Sequence, residues 1–265
     1  MKIPNRRVLH ATAWLIPLAA SVSTTPAFVR TGFHASQVGV MDEGAFRITV
    51  EGVPVGTEEF VIRSLGDASG AYLANARVEL GGSVRTTILR ASAPDGESEV
   101  YELSLEGDPE SFTVSIPAFS TPRFNSTYTS EYGQETREYA GNPLTRVLEA
   151  QVAHHHFFLA ALEPGEVVPV IVPGERRSGR IEVTAEEDDL LTVGGVELPT
   201  RKVAFAGMGE GHFVWFDARN RVIRVEIREH RYVAERTEVG TGALSVFRPR
   251  VSETMPLGSP YLPQS

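Results

Sequence analysis

The residues of this 265-residue chain best suited to chemistry stand side by side in VAHHHFFLAAL, Val152 to Leu162, where His154, His155 and His156 meet apolar neighbours. A neutral imidazole can ligate a metal, accept a proton or act as a pH sensor. On a strand, His154 and His156 would share a face, and with a carboxylate or His212 they would supply the donors of a zinc or copper site. On a helix, successive side chains diverge by about 100° and no two of the three have the i, i+4 spacing that chelates a metal. The helix is favoured, because Leu148, Val152, His155, Leu159 and Leu162 form a 4-3-4-3 apolar stripe. This reading turns His155 inward, leaves His154 and His156 flanking it, and expects no metal site, no cofactor and no catalytic residue.

Other reactive patterns have structural readings. Glu186, Glu187, Asp188 and Asp189 form the densest acidic run, which fits a solvated turn or a loose calcium loop better than an acid/base pair in opposed environments. No Gly-x-Ser-x-Gly is present, and no Ser-x-x-Lys follows the leader. GMGEG, from Gly207 to Gly211, lacks the Lys and helix of a phosphate loop and reads as a hairpin or bulge. Asp217 stands where an aspartate caps its own turn.

The aromatic residues give a further candidate site. If the strands curl into one sheet, Phe46, Phe60, Tyr101, Phe112, Phe158, Phe205, Phe213 and Trp215 are expected to line its concave side, with Phe157 nearby. In a filled barrel they are the core; in an open one they bind an acyl chain or another apolar molecule. The filled core is favoured.

The elements that would place these residues alternate with period two. Phe46, Ile48 and Val50 oppose Arg47, Thr49 and Glu51, and the pattern recurs in TEEFVIRS, AYLANARVEL, SVRTTILRAS, EVYELSLE and SFTVSIPA. Gly, Asp and Pro turns separate the runs, with little room for crossover helices, so an antiparallel meander is expected. After a polar, tyrosine-bearing middle, one helix is expected over about 144–162, between Pro143 and Pro164-Gly165. EVVPVIVP, GRIEVTAEE, LLTVGG, VELPTRKVAFAG and a hairpin in FVWFDARNRVIRVEI then return to β. The fold class expected is mainly β: one curved antiparallel sheet or half-open β-barrel with one central helix.

Residues 1–27 read as a secretory signal, with Lys2, Arg6 and Arg7 ahead of VLHATAWLIPLAASV and small residues at Ser21/Ser23 or Thr25/Ala27 for cleavage. Residues 28–43 form a lead-in, 44–240 the β-rich domain and 241–265 a Pro-rich tail. Removing the three leader cations changes the net charge from −9 to −12, with 22 basic against 34 acidic residues, a surface that repels nucleic acid and anionic headgroups. There is no cysteine, so disulfides, thiol nucleophiles and lipidated cysteine are excluded. An exported bacterial protein of the periplasm or medium is expected, with no membrane span after signal removal.

The order PGEVVPVIVPG, GRIEV, VELPTRKVAFA, FVWFDARNRVIRVEI and VAERTE, over Pro164 to Glu238, resembles the C-terminal half of exported bacterial families of unknown function. Over residues 44–240 the order of elements resembles their half-barrel, which is like that of lipoprotein-localisation factors. The resemblance implies a fold and, by analogy, an apolar cavity; it brings no catalytic motif. The function expected is a non-enzymatic, exported barrel-like protein that takes a lipid or other apolar small molecule. A metal-dependent hydrolase around His154 and His156 and an envelope protein-interaction module are the alternatives, the latter with no identified protein partner.

Overall fold

The computed structural model describes residues 39–66, 70–107 and 111–239. The leader, most of the lead-in and the 241–265 tail lie outside the described residues. The strands in chain order are β1 (Gly39–Val50), β2 (Val53–Ser64), β3 (Tyr72–Leu80), β4 (Ser83–Ala91), β5 (Ser98–Glu106), β6 (Phe112–Ile116), β7 (Arg123–Ser130) and β8 (Gly133–Ala140). There follow β9 (Arg146–Val147), β10 (Val167–Val172), β11 (Arg177–Val193), β12 (Val196–Ala206), β13 (His212–Asp217), β14 (Val222–Ile227) and β15 (Tyr232–Arg236). They form one 15-stranded sheet in which β1 joins β2 on one side and β15 on the other, and the edges are β8 and β9. All pairings are antiparallel except the short β9–β10 contact.

Alternation sets which side chains face inward. Residues paired directly across strands share a face, so register makes two continuous inner rows. One runs Arg236, Phe46, Glu58, Val78, Arg85, Leu105, Phe112 and Ser130, across β15 and β1 to β7. The other runs Val50, Tyr232, Ile227, His212, Phe205 and Val183, across β1 and β15 back to β11.

The sheet is the expected one, curved and mainly β, but the central helix is not an α-helix. Residues 144–162 instead make the two-residue strand β9, a turn, and a 3-10 helix over His154–Leu159. Gln151 takes φ +59, in the left-handed region that interrupts an α-helix. The N–H groups that an α-helix would bond internally find partners elsewhere: Ala153 and His154 donate to Glu58 of β2, and Glu149 donates to His155 Nδ1. The whole stripe from Leu148 to Leu162 is buried, and so are His154 and His156, because the segment lies inside the curl rather than upon it.

Three boundaries also differ. The first strand starts at Gly39, not near Gly44, because Asp42 is buried in an ion pair with Arg236. The polar middle forms the β7–β8 hairpin, with Phe124, Ser126 and Tyr128 inward. The acidic run 186–189 lies within the long strand β11, exposed and partly paired with Arg201 and Lys202 of β12, rather than in a turn.

Candidate functional site

Between the plug segment and the inner rows lies a cleft of about 450 Å³. Arg85, Leu105 and Phe112 come to it from one row, and Tyr232, Ile227 and His212 from the other. Leu148 to Val152 and His156 come from the plug, and the turn from Val172 to Arg177 forms a further wall.

The expected aromatic lining separates into three groups. Phe46, Phe60, Tyr101, Phe158 and Phe205 do face inward, where they are packed core: Phe46 stacks on Phe60 with centroids 5.2 Å apart, and Phe60 on His154 at 5.8 Å. Phe112 alone of the eight lines the cleft. Phe213 and Trp215 point to the opposite face, where they pack with Val193, Ile223, Leu191 and Leu198. Their neighbours His212, Val214 and Phe216 took the inner positions of β13, and period-two alternation leaves no other place for them. Sequence reasoning missed Leu103, Leu105, Val172, Met208, Ile227 and Tyr232 as cleft residues; the alternation of Leu103, Leu105 and Ile227 was readable, whereas Met208 lies in the turn between β12 and β13, outside any strand.

The three histidines are all buried and have three different partners. His154 Nδ1 lies 2.8 Å from Glu58 Oε1, on a carboxylate that also accepts the N–H groups of Ala153 and His154 at 2.7 and 2.8 Å. His155 Nδ1 accepts the Glu149 N–H at 3.1 Å, which fixes its proton on Nε2. His156 Nδ1 lies 2.9 Å from the Ala153 carbonyl and Nε2 lies 2.9 Å from His212 Nε2. Burial holds His155 and His212 well below the ordinary histidine range, with adjacent imidazoles adding to the effect. Burial likewise lowers His156 to about 4, against the opposing pull of the Ala153 carbonyl and Glu58.

Neutral protonation states then follow from the bonding. A carbonyl only accepts, so His156 Nδ1 carries the proton and its Nε2 is a lone pair; His212 Nε2 must donate to it, which leaves His212 Nδ1 as an acceptor. That acceptor and the Tyr232 hydroxyl are buried without a partner among the described residues. The geometry of the metal-hydrolase alternative does not form: His154 turns to Glu58 while His156 turns to His212. Among the described residues no three His, Asp or Glu side chains are grouped to hold a metal ion.

Glu149 anchors the opposite wall. Its carboxylate accepts the Ala150 N–H at 3.1 Å, the Gly174 N–H at 2.9 Å and the Tyr101 hydroxyl at 3.2 Å. Burial raises its pKa, and these two N–H donors and Arg85 oppose the rise. Gly174 must lack a side chain, since a Cβ there would lie 2.7 Å from Glu149 Oε1. Arg85 donates to the Ala150 carbonyl at 2.7 Å, tying β4 to the plug. Arg176 ties the turn to the far edge of the sheet, pairing with Glu135 of β8 at 3.0 Å and lying 3.9 Å over the Tyr128 ring.

Fold and cleft together define an open, β-barrel-like sheet wrapped around a buried plug. A solved β-barrel-like protein of domain of unknown function DUF1849 from Brucella abortus aligns with a TM-score of 0.44 and 10% identity, over 73% of this chain and 93% of that one. No family model and no curated protein matches the chain.

Proposed function

We propose that this protein is a non-enzymatic binding protein that holds an apolar or amphipathic, lipid-like molecule in the cleft between plug and sheet, and that it works outside the cytoplasm. The observation that carries the reading is the cleft itself. Its volume of about 450 Å³ lies within the range of small-molecule sites, about 300–1,000 Å³. Leu103, Leu105, Phe112, Val172, Met208 and Ile227 make apolar walls, and about half of the lining residues are polar or ionisable, among them Arg85, Glu149, Arg177, His212 and Tyr232. Such a lining desolvates a hydrocarbon and leaves the polar groups to orient it. Export rests on the leader-like residues 1–27.

The test is binding of a solvatochromic apolar dye, with organic extraction and mass spectrometry of protein purified without added lipid. A saturable site that is lost in Leu105→Arg and retained in Trp215→Phe, on the opposite face, is expected. Absence of saturable binding, or equal binding by Leu105→Arg at intact folding, would overturn the reading.

A further inference from the structure

Resting on the binding function above, we infer that the ligand of the cleft is an apolar chain ending in a carboxylate, and that the Arg85 guanidinium receives that head. Arg85 stands in the inner row of the sheet, where Glu58, Val78, Arg85 and Leu105 lie directly across from one another on β2 to β5. It is half-buried and lines the cleft, and its tip reaches the plug at Ala150, another lining residue.

A guanidinium taken out of water needs acceptors for its charge and its five N–H donors. The other arginines that reach the interior have them. Arg236 pairs with Asp42 and Arg221 with Asp217, both at 2.7 Å, and Arg201 pairs with Glu186 at 2.9 Å. Arg146 donates to the carbonyls of Leu144 and Asp95 at 2.8 and 2.7 Å. Arg85 makes one hydrogen bond, to the Ala150 carbonyl at 2.7 Å, and no ion pair among the described residues.

The acids that share the cleft are engaged elsewhere. Glu149 accepts from the Ala150 and Gly174 N–H groups and from the Tyr101 hydroxyl. Glu175 pairs with Arg177 at 2.9 Å.

A carboxylate matches what Arg85 has left. Its two oxygens lie in one plane and accept parallel, charge-assisted bonds from the guanidinium fork. An alcohol offers one neutral oxygen, and an alkylammonium meets a like charge. The rest of the row suits the chain: Leu105 is one strand from Arg85 and Phe112 two, about 5 and 10 Å away, and both line the cleft.

The experiment is displacement of the dye by decanoate, decanol and decylammonium at neutral pH, from the wild-type protein, Arg85→Gln and Arg180→Gln. Arg180 is exposed on β11 and is not a lining residue, so its loss changes the net charge equally and leaves the cleft as it was. Decanoate is expected to bind about tenfold more tightly than decanol, as a charge-assisted pair outweighs a neutral one. Arg85→Gln keeps a donor for the Ala150 carbonyl and is expected to lose that preference, while Arg180→Gln retains it. A readout on the wild-type protein covers the case in which Arg85→Gln does not fold: the Arg85 side-chain N–H resonances are expected to move with decanoate and not with decanol. Equal affinity for decanoate and decanol, preference for decylammonium, a decanoate preference that survives in folded Arg85→Gln, or unmoved Arg85 resonances at saturation would overturn the carboxylate reading while leaving the binding function standing. Failure of all three probes to displace the dye would overturn the carboxylate reading, and failure of the dye itself to bind would overturn both.

Discussion

His156 and His212, distant in sequence, face each other through their Nε2 atoms at 2.9 Å inside the curl of the sheet. One nitrogen must donate and the other accept, so the contact exists only while the accepting ring is neutral. Doubly protonated rings would place two N–H groups and two charges against each other in a buried site.

Acid is therefore expected to destabilise the fold well before ordinary carboxylates titrate. The folded-state pKa values of His155, His156 and His212 are lowered, so their contribution is fully present above the unfolded value near 6.5 and is lost as pH falls toward about 4, the window set by His156. His156 alone accounts for about 3 kcal/mol across that window, at about 1.4 kcal/mol per pKa unit. His154 and Glu58 act on His156 directly, and Arg85, Glu149 and His230 share the cleft lining with the pair; Glu149, raised by burial, acts in the opposite sense and moderates the loss at the acid end. Urea midpoints measured from pH 7.5 to 4.5 should fall steadily. A midpoint constant between pH 7 and 5 would contradict the account.

Glu58 is expected to hold the plug. Three hydrogen bonds from the His154 region end on its fully buried carboxylate. Glu58→Ala leaves two N–H groups and an imidazole without their acceptor and should cost about 3 kcal/mol or more, at about 1–3 kcal/mol for each buried polar group left unsatisfied. Glu58→Gln keeps one acceptor oxygen and should cost less. Loss of amide protection at Ala153 and His154 in hydrogen exchange would confirm where the damage lies; full protection in a stable Glu58→Ala protein would refute it.

Asp42 and Arg236 form a two-pronged pair, 2.7 and 3.0 Å, between β1 and β15, with both side chains buried. Asp42→Ala should cost about 3–5 kcal/mol by leaving a buried guanidinium unpaired. Asp42→Leu combined with Arg236→Met should recover most of that loss, because the pair's desolvation penalty disappears with it. If the double variant is as unstable as the single one, the pair is not what sets stability at this seam.

Much of the sheet was legible from alternation alone. Runs such as Phe46-Ile48 and Tyr101-Leu103-Leu105 took the faces their spacing assigned. The plug was legible as buried and illegible as to shape. The Leu148 to Leu162 stripe satisfies a helix, but the acceptors that decide against one, Glu58 and His155, act through a contact 95 residues apart in sequence and through a side chain that periodicity counts as merely apolar. Period-two alternation in TEEFVIRS puts Glu58 on the face of Phe60 and Ile62, and the register Phe46–Glu58–Val78 shows that face to be the inner one, but the contact by which it holds the plug has no signal in the sequence. The site was half legible: His212 was named as a partner for the histidines, yet Tyr232 enters only once β13, β14 and β15 are laid side by side.

The most direct test of the central claim, that the cleft is a binding site, is to find where a bound apolar probe lies. With decanol at saturation, methyl-labelled protein should show intermolecular NOEs from Met208, Leu105 and Ile227 to the probe chain, and none from Leu191 or Val193 on the opposite face. NOEs confined to Leu191 and Val193, or no NOEs to any cleft methyl at saturation, would contradict it.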